Sequence, residues 1–64
     1  MKVNGKDISI KNNKSLFTFL QDNNYDLKKI AVECNGHIVP RATYGEVILS
    51  DEDSLEIVCF VGGG

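Results

Sequence analysis

No tryptophan, one proline, one histidine and two cysteines among 64 residues leave few chemistries open. The cysteines, Cys34 and Cys59, form no CxxC pair and are too few for a disulfide scaffold. With His37 as the only imidazole they make no compact zinc-ligand pattern. Neither a Walker P-loop nor a GxGxxG run is present, so the chain supplies no nucleotide site of its own. No stretch approaches the roughly 20 apolar residues that a bilayer span demands. The opening Met1-Lys2-Val3-Asn4-Gly5 lacks the apolar core of a secretory signal. A cytoplasmic chain with free thiols and no membrane association is therefore expected. An excess of basic residues is also missing: the net charge is −2, which argues against nucleic acid as a partner. The length admits one small domain and excludes a two-domain enzyme with an internal cleft.

What is present is an ordinary globular composition, 42% hydrophobic and 25% charged. Its charges are uneven. Residues 1–32 hold six basic side chains against three acids, and residues 33–64 hold one, Arg41, against six, giving +3 and −5. An acidic second half suits a partner with a basic surface, or is simply solvated.

The hydrophobic pattern predicts a β-hairpin, a helix and then more strands. Met1-Lys2-Val3 and residues 7–11 alternate around Asn4-Gly5, the strongest two-residue hairpin signal, because a type I′ turn needs positive φ at both central positions. Ser15 reads as a helix N-cap. Leu16, Phe19 and Leu20 then fall at i, i+3 and i+4 as one apolar stripe, with Phe17 at its rim. The helix should stop near Asn23-Asn24 and, at two to three turns, must lean on a sheet. Ile30, Val32 and Cys34 alternate as a strand, and Asn35-Gly36 makes a second turn before Ile38-Val39. Pro40 ends that stretch, and residues 41–45 read as irregular or one 3₁₀ turn. Val47-Ile48-Leu49 reads as a short strand. Residues 50–54 form an acidic turn, and residues 55–61 the longest strand. The pattern is α+β, with one helix on a mixed sheet.

The last strand holds an anomaly. Leu55, Ile57, Cys59 and Val61 share one face, and Glu56, Val58 and Phe60 the other. If Leu55 and Ile57 meet the helix, Val58 and Phe60 point away from the core, where a half-solvated strand normally carries polar groups. They form a docking surface, or else isolated apolar residues buried by curl of the sheet. Gly62-Gly63-Gly64 follows directly, and divides the chain into a domain over residues 1–61 and an expected flexible tail over 62–64. Fully extended, three residues reach about 10 Å and could thread a channel that any Cβ would obstruct. A terminal carboxylate is ionised at neutral pH and is a poor electrophile until another enzyme activates it, for example as an acyl-adenylate.

The sequence resembles the ThiS-type sulfur carrier proteins of thiamine biosynthesis over essentially its whole length. The resemblance is carried by the stretch from Ile30 to Arg41, whose Asn35-Gly36-His37-Ile38-Val39-Pro40-Arg41 part is the most specific, by the acidic Asp51-Glu52-Asp53 turn, and by the run from Leu55 to the three closing glycines. It implies a ubiquitin-like β-grasp fold: a mixed sheet of about five strands, the last of them central beside the first, with one helix on one face. It also implies a cycle in which an E1-like adenylyltransferase uses ATP and Mg²⁺ to adenylate the carboxylate of Gly64. Sulfur from a donor such as a cysteine desulfurase would convert it to a thiocarboxylate, and thiazole synthase would take the sulfur. The chain itself would bind no cofactor, catalyse nothing and be a monomer when free. Gly63 and Gly62 would give access to partner active sites, and Val58, Phe60, Val61 and Arg41 would dock. Glu52 stands where many members have glycine. Cys34 and Cys59 occupy positions often filled otherwise, so the mechanism requires neither.

Other readings stay open. The same chemistry could serve a molybdopterin-type acceptor or tRNA thiolation, or the chain could be a β-grasp interaction module or protein modifier. The two cysteines read as small hydrophobes in preference to a redox switch or sulfur relay. His37 reads as a solvated loop residue, and Arg41 either pairs with a partner's acid or caps a local carboxylate.

Overall fold

Both Asn-Gly pairs turn the chain as their backbone preference dictates. In the computed structural model, which describes residues 1–10 and 12–60, Asn4 and Gly5 have φ of 51° and 83°, and Asn35 and Gly36 have φ of 52° and 85°. Asparagine tolerates this left-handed region and glycine enters it without steric cost, so each pair closes a two-residue hairpin. The first joins β1 (Lys2–Val3) to β2 (Lys6–Asp7), with Val3 opposite Lys6. The second joins β3 (Ile30–Cys34) to β4 (His37–Ile38), with Cys34 opposite His37. His37 is therefore the first residue of a strand, not a loop residue.

The remaining strand, β5 (Ser54–Cys59), lies at the centre of the sheet, whose order is β2-β1-β5-β3-β4. It runs parallel to β1 and antiparallel to β3. Alternation along β5 buries Leu55 and Ile57 and exposes Glu56 and Val58. On β3 it buries Ile30 and Val32 and exposes Ala31.

The helix α1 (Leu16–Asp22) covers the buried face. Seven residues make a helix only about 10 Å long, too short to persist alone. Its first turn is anchored at every backbone donor. Leu16 N–H donates to the Val47 carbonyl at 2.8 Å, Phe17 N–H to Tyr44 at 3.0 Å, and Phe19 N–H to Ser15 at 3.0 Å. Thr18 N–H donates to the hydroxyl of the N-cap Ser15 at 3.0 Å. At the other end Asn23 caps the helix, and Asn24 takes a φ of 63°. Leu16, Phe19 and Leu20 are buried, and Phe17 lies at the rim with 39% of its surface exposed.

Residues 47–49 depart from the expected strand. Ile48 makes a single bridge to Ser15, and Leu49 N–H donates to the Lys14 carbonyl at 2.8 Å. The partner segment becomes helix at Leu16, so the pairing cannot extend. The alternation survives: Leu49 is fully buried, Val47 packs against the core, and Ile48 is exposed. The segment thus holds the helix N-terminus instead of adding to the sheet. The strand expected over residues 7–11 is likewise shorter, ending as β2 at Asp7. Ile8 still exchanges backbone hydrogen bonds with Met1, at 2.8 and 3.0 Å, and beyond that last partner Ile10 N–H donates to the Asp51 carboxylate at 3.1 Å. Residues 41–43 form the expected 3₁₀ turn, which delivers Tyr44 into the core at 3% exposure.

Candidate docking face and the end of the central strand

Two asparagines do more than turn the chain. The Asn4 side chain accepts from Ile57 N–H at 2.7 Å and donates to the Ile57 carbonyl at 3.1 Å. Its amide behaves as one more peptide unit, extending the parallel pairing on the β1 side of β5 past the point where β1 has turned away. Asn35 latches the opposite end of β5. Its backbone N–H donates to the Ser54 carbonyl at 2.8 Å, and its side-chain oxygen accepts from Ser54 N–H at 3.0 Å. Its side-chain NH₂ donates to Asp53 at 3.0 Å, and Asp53 in turn accepts from Ser50 N–H at 2.9 Å. Asp51 is held below the usual carboxylate range, first by the Ile10 N–H and also by the Met1 amine 3.5 Å away. The acidic turn is thus a hydrogen-bonded brace that sets where β5 begins.

So fixed, β5 presents a helix-free face. Antiparallel register places Val58 opposite Ala31 and Glu56 opposite Glu33, and Ile38 lies on the far side of Glu33. Phe60 follows, its N–H donating to the Lys29 carbonyl at 2.9 Å. Val58 is 59% exposed, Phe60 42% and Ile38 69%. The sheet does not curl enough to bury Val58 or Phe60, and the two sit on one side of the strand as the alternation implied. Ala31, Glu33, Glu56 and Ile38 also belong to this face. The outward positions of β3 were legible in its alternation, but their registration with Val58 and Glu56 was not.

Arg41 lies apart, exposed in the 3₁₀ turn after Pro40. Among the described residues the ion pairs are Met1 amine with Asp51 and Lys14 with Asp22, so Arg41 caps no local carboxylate. Val61, Gly62, Gly63 and Gly64 lie outside the described residues.

Cys34 and Cys59 are on neighbouring strands but at opposite ends of the pairing, Cys34 facing Leu55 and Cys59 facing Ile30. Four residues of offset separate them by about 13 Å, beyond the roughly 7 Å limit for Cα atoms in a disulfide. Both thiols are free; Cys59 is exposed, while burial and, secondarily, Asp53 push the Cys34 thiol up. Among the described residues no cluster of His, Cys, Asp or Glu could hold a metal ion, and no helix is long and apolar enough to cross a membrane.

A single helix on a five-stranded mixed sheet, with the last strand central and parallel to the first, defines a ubiquitin-like β-grasp domain. The crystal structure of a thiamine biosynthesis protein, ThiS, from Geobacter metallireducens shares this architecture. Its TM-score is 0.82 at 26% identity, covering 98% of this chain and 96% of that one. A model of the ThiS family matches residues 1–64. The sulfur carrier protein ThiS of Bacillus subtilis is 38% identical over 65 aligned positions, spanning all of this chain and 98% of that protein. The chain belongs to the ThiS family. Thiazole synthase of Paramagnetospirillum magneticum is 39% identical over 62 residues, which are 97% of this chain but 19% of that protein. The chain thus spans about a fifth of the length of the thiazole synthases it matches.

Proposed function

We propose that the chain is a sulfur carrier of thiamine biosynthesis, acting as a protein co-substrate and not as an enzyme. The observation that carries this reading is the family match through residue 64, where the chain closes on Gly62-Gly63-Gly64. An E1-like adenylyltransferase holds ATP and Mg²⁺. An oxygen of the Gly64 carboxylate attacks the α-phosphorus and pyrophosphate leaves, giving an acyl-adenylate. A sulfur nucleophile ultimately supplied by a donor such as a cysteine desulfurase displaces AMP. With a persulfide donor this gives an acyl disulfide; a second thiol of the donor system then attacks the donor's own sulfur, forms a disulfide with it and releases the thiocarboxylate, which thiazole synthase consumes. Similarity to chains bearing the name thiazole synthase supports that choice of acceptor over a molybdopterin-type one or tRNA thiolation.

This chain's own contribution is positioning. The Asn4 and Asn35 latches hold β5 in register at Ile57 and at Ser54, which braces the strand within the sheet. The exposed Val58 and Phe60 offer apolar contact beside it, joined in this reading by Val61 and Arg41. Burying two such side chains yields on the order of 3 kcal/mol before the costs of association, which suits a carrier that must be released.

Deletion of Gly64 tests the reading. With the organism's own activating enzyme, the full chain should support ATP–pyrophosphate exchange and the truncated chain should not, although it still folds. Binding of the full chain to that enzyme with no exchange would instead favour an interaction module, and exchange that survives the deletion would move the activated carboxylate away from Gly64. A thiamine requirement after loss of the gene separates thiazole synthesis from other acceptors.

A further inference from the structure

Two of the six asparagines, Asn4 and Asn35, are followed by glycine. This pairing leaves an asparagine side chain most open to attack by its own backbone, because glycine has no Cβ to hinder the approach to its nitrogen. In that reaction the Gly5 nitrogen attacks Asn4 Cγ. A succinimide ring forms, and the side-chain nitrogen leaves as ammonia, taking the Gly5 amide proton with it. Water then opens the ring to an aspartyl or isoaspartyl residue, and no other reactant is needed. The surroundings raise no obstacle. Apart from its chain neighbours, no atom lies within 4 Å of the point where a Gly5 Cβ would stand.

What restrains the reaction is the engagement of the Asn4 side chain itself. Ring closure requires Cγ to swing onto the Gly5 nitrogen. Both polar atoms on Cγ are instead committed across the sheet, Oδ1 to Ile57 N–H at 2.7 Å and Nδ2 to the Ile57 carbonyl at 3.1 Å. Asn35 is tied in a similar way, with Oδ1 on Ser54 N–H and Nδ2 on Asp53, each at 3.0 Å. The two asparagines that the sequence makes most reactive are thus the two whose side chains latch β5.

We propose that Asn4 is a site of spontaneous deamidation gated by its latch to Ile57, and that the modification locks the latch open. The reaction proceeds only in molecules where the latch has opened locally. Afterwards an oxygen replaces the nitrogen that donated to the Ile57 carbonyl, so two acceptors face one another and the original pairing cannot re-form. The isoaspartyl product also adds one atom to the backbone inside the β1–β2 turn. Either product leaves β5 with the Asn35 latch alone, beside the exposed Val58. The proposal is independent of the carrier reading.

The test is peptide mapping by mass spectrometry on the full chain aged in mildly alkaline buffer. Samples are kept native, in denaturant below the unfolding midpoint, and fully unfolded. In the unfolded chain Asn4 should exchange its amino group for a hydroxyl faster than Asn12, Asn13, Asn23 and Asn24, none of which precedes glycine. In the native chain the rate should be roughly 10–30-fold lower, the factor that two net hydrogen bonds supply. Between these limits it should rise in step with hydrogen exchange at the Ile57 amide. The modified chain, separated by ion exchange, should melt at a lower temperature and exchange its Ile57 amide faster than the unmodified chain. Native deamidation at the unfolded rate would overturn the gating, as would a rate that stays flat while Ile57 exchange climbs. Identical Ile57 exchange in modified and unmodified chains would overturn the loss of the latch. An Asn4 that stays intact in the unfolded chain would overturn the site itself.

Discussion

Replacing Asn4 isolates the contribution of its side-chain latch. Glycine accepts the positive φ of this turn at least as well as asparagine, so Asn4→Gly keeps the turn and removes only the two hydrogen bonds to Ile57. Each such bond contributes about 1 kcal/mol net, and water can reach the partly buried site to replace some of it. The gain in turn preference and the added freedom of the unfolded chain nearly offset one another. A loss of about 1–2 kcal/mol follows, which for a domain this small lowers the melting temperature by roughly 5–15 °C. Asn4→Asp is more informative still. Its carboxylate keeps the acceptor for Ile57 N–H but turns an oxygen toward the Ile57 carbonyl where a donor had been. Protonation restores a donor, so the folded state raises the pKa of this carboxyl. A raised carboxyl pKa favours the fold below the unfolded value of about 4 and disfavours it above. Asn4→Asp should therefore be less stable than Asn4→Gly at neutral pH and approach it at pH ~4. Urea unfolding of both variants against wild type at each pH gives the comparison, and hydrogen exchange at the Ile57 amide reports the latch itself. Stability of Asn4→Gly within about 0.3 kcal/mol of wild type, with Ile57 exchange unchanged, would refute the reasoning.

Other expectations follow from the same geometry. Leu55 is fully buried under the helix at the centre of the sheet, so Leu55→Ala should cost about 2–5 kcal/mol; chemical denaturation measures it. Asp51 has a folded pKa below its ordinary value, chiefly through the Ile10 N–H. It stabilises the fold above the unfolded carboxyl pKa and loses that effect as pH falls through the lower folded value. The margin by which wild type exceeds Asp51→Asn in urea midpoint should accordingly shrink on acidification, and a pH-independent margin would contradict the assignment. Iodoacetamide should label exposed Cys59 before Cys34, whose thiol is partly buried and shifted upward. Mild oxidant should form no bond between the two in the folded chain, as peptide mapping under native conditions would reveal.

Local chemistry was readable wherever a short-range rule decided the outcome. Both Asn-Gly turns, the Ser15 cap, the Leu16–Phe19–Leu20 stripe and the inward pair Leu55 and Ile57 all follow from spacing along the chain. The failures lie where long-range partners decide. Val47 to Leu49 alternate like a strand, yet their partner is the two-residue approach to the helix, which stops the ladder after one bridge. Residues 7–11 alternate as well, but the pairing with β1 runs out at Ile8 opposite Met1, and Ile10 bonds to the Asp51 carboxylate instead. The buried Tyr44 carried no periodic signal, because it enters the core from an irregular segment. At the candidate site, the exposure of Val58 and Phe60 was legible from alternation. The opposition of Glu33 and Glu56 depends on a strand register that no local pattern encodes.

The central claim is that the carboxylate of Gly64 carries sulfur. The most direct measurement is the intact mass of the chain after incubation with its activating enzyme, ATP, Mg²⁺ and a sulfur donor, followed by fragmentation. The account predicts a species heavier by the difference between one sulfur and one oxygen, with the added mass on Gly64. An unmodified carboxyl terminus in the presence of an activating enzyme shown to bind both ATP and the chain would contradict it.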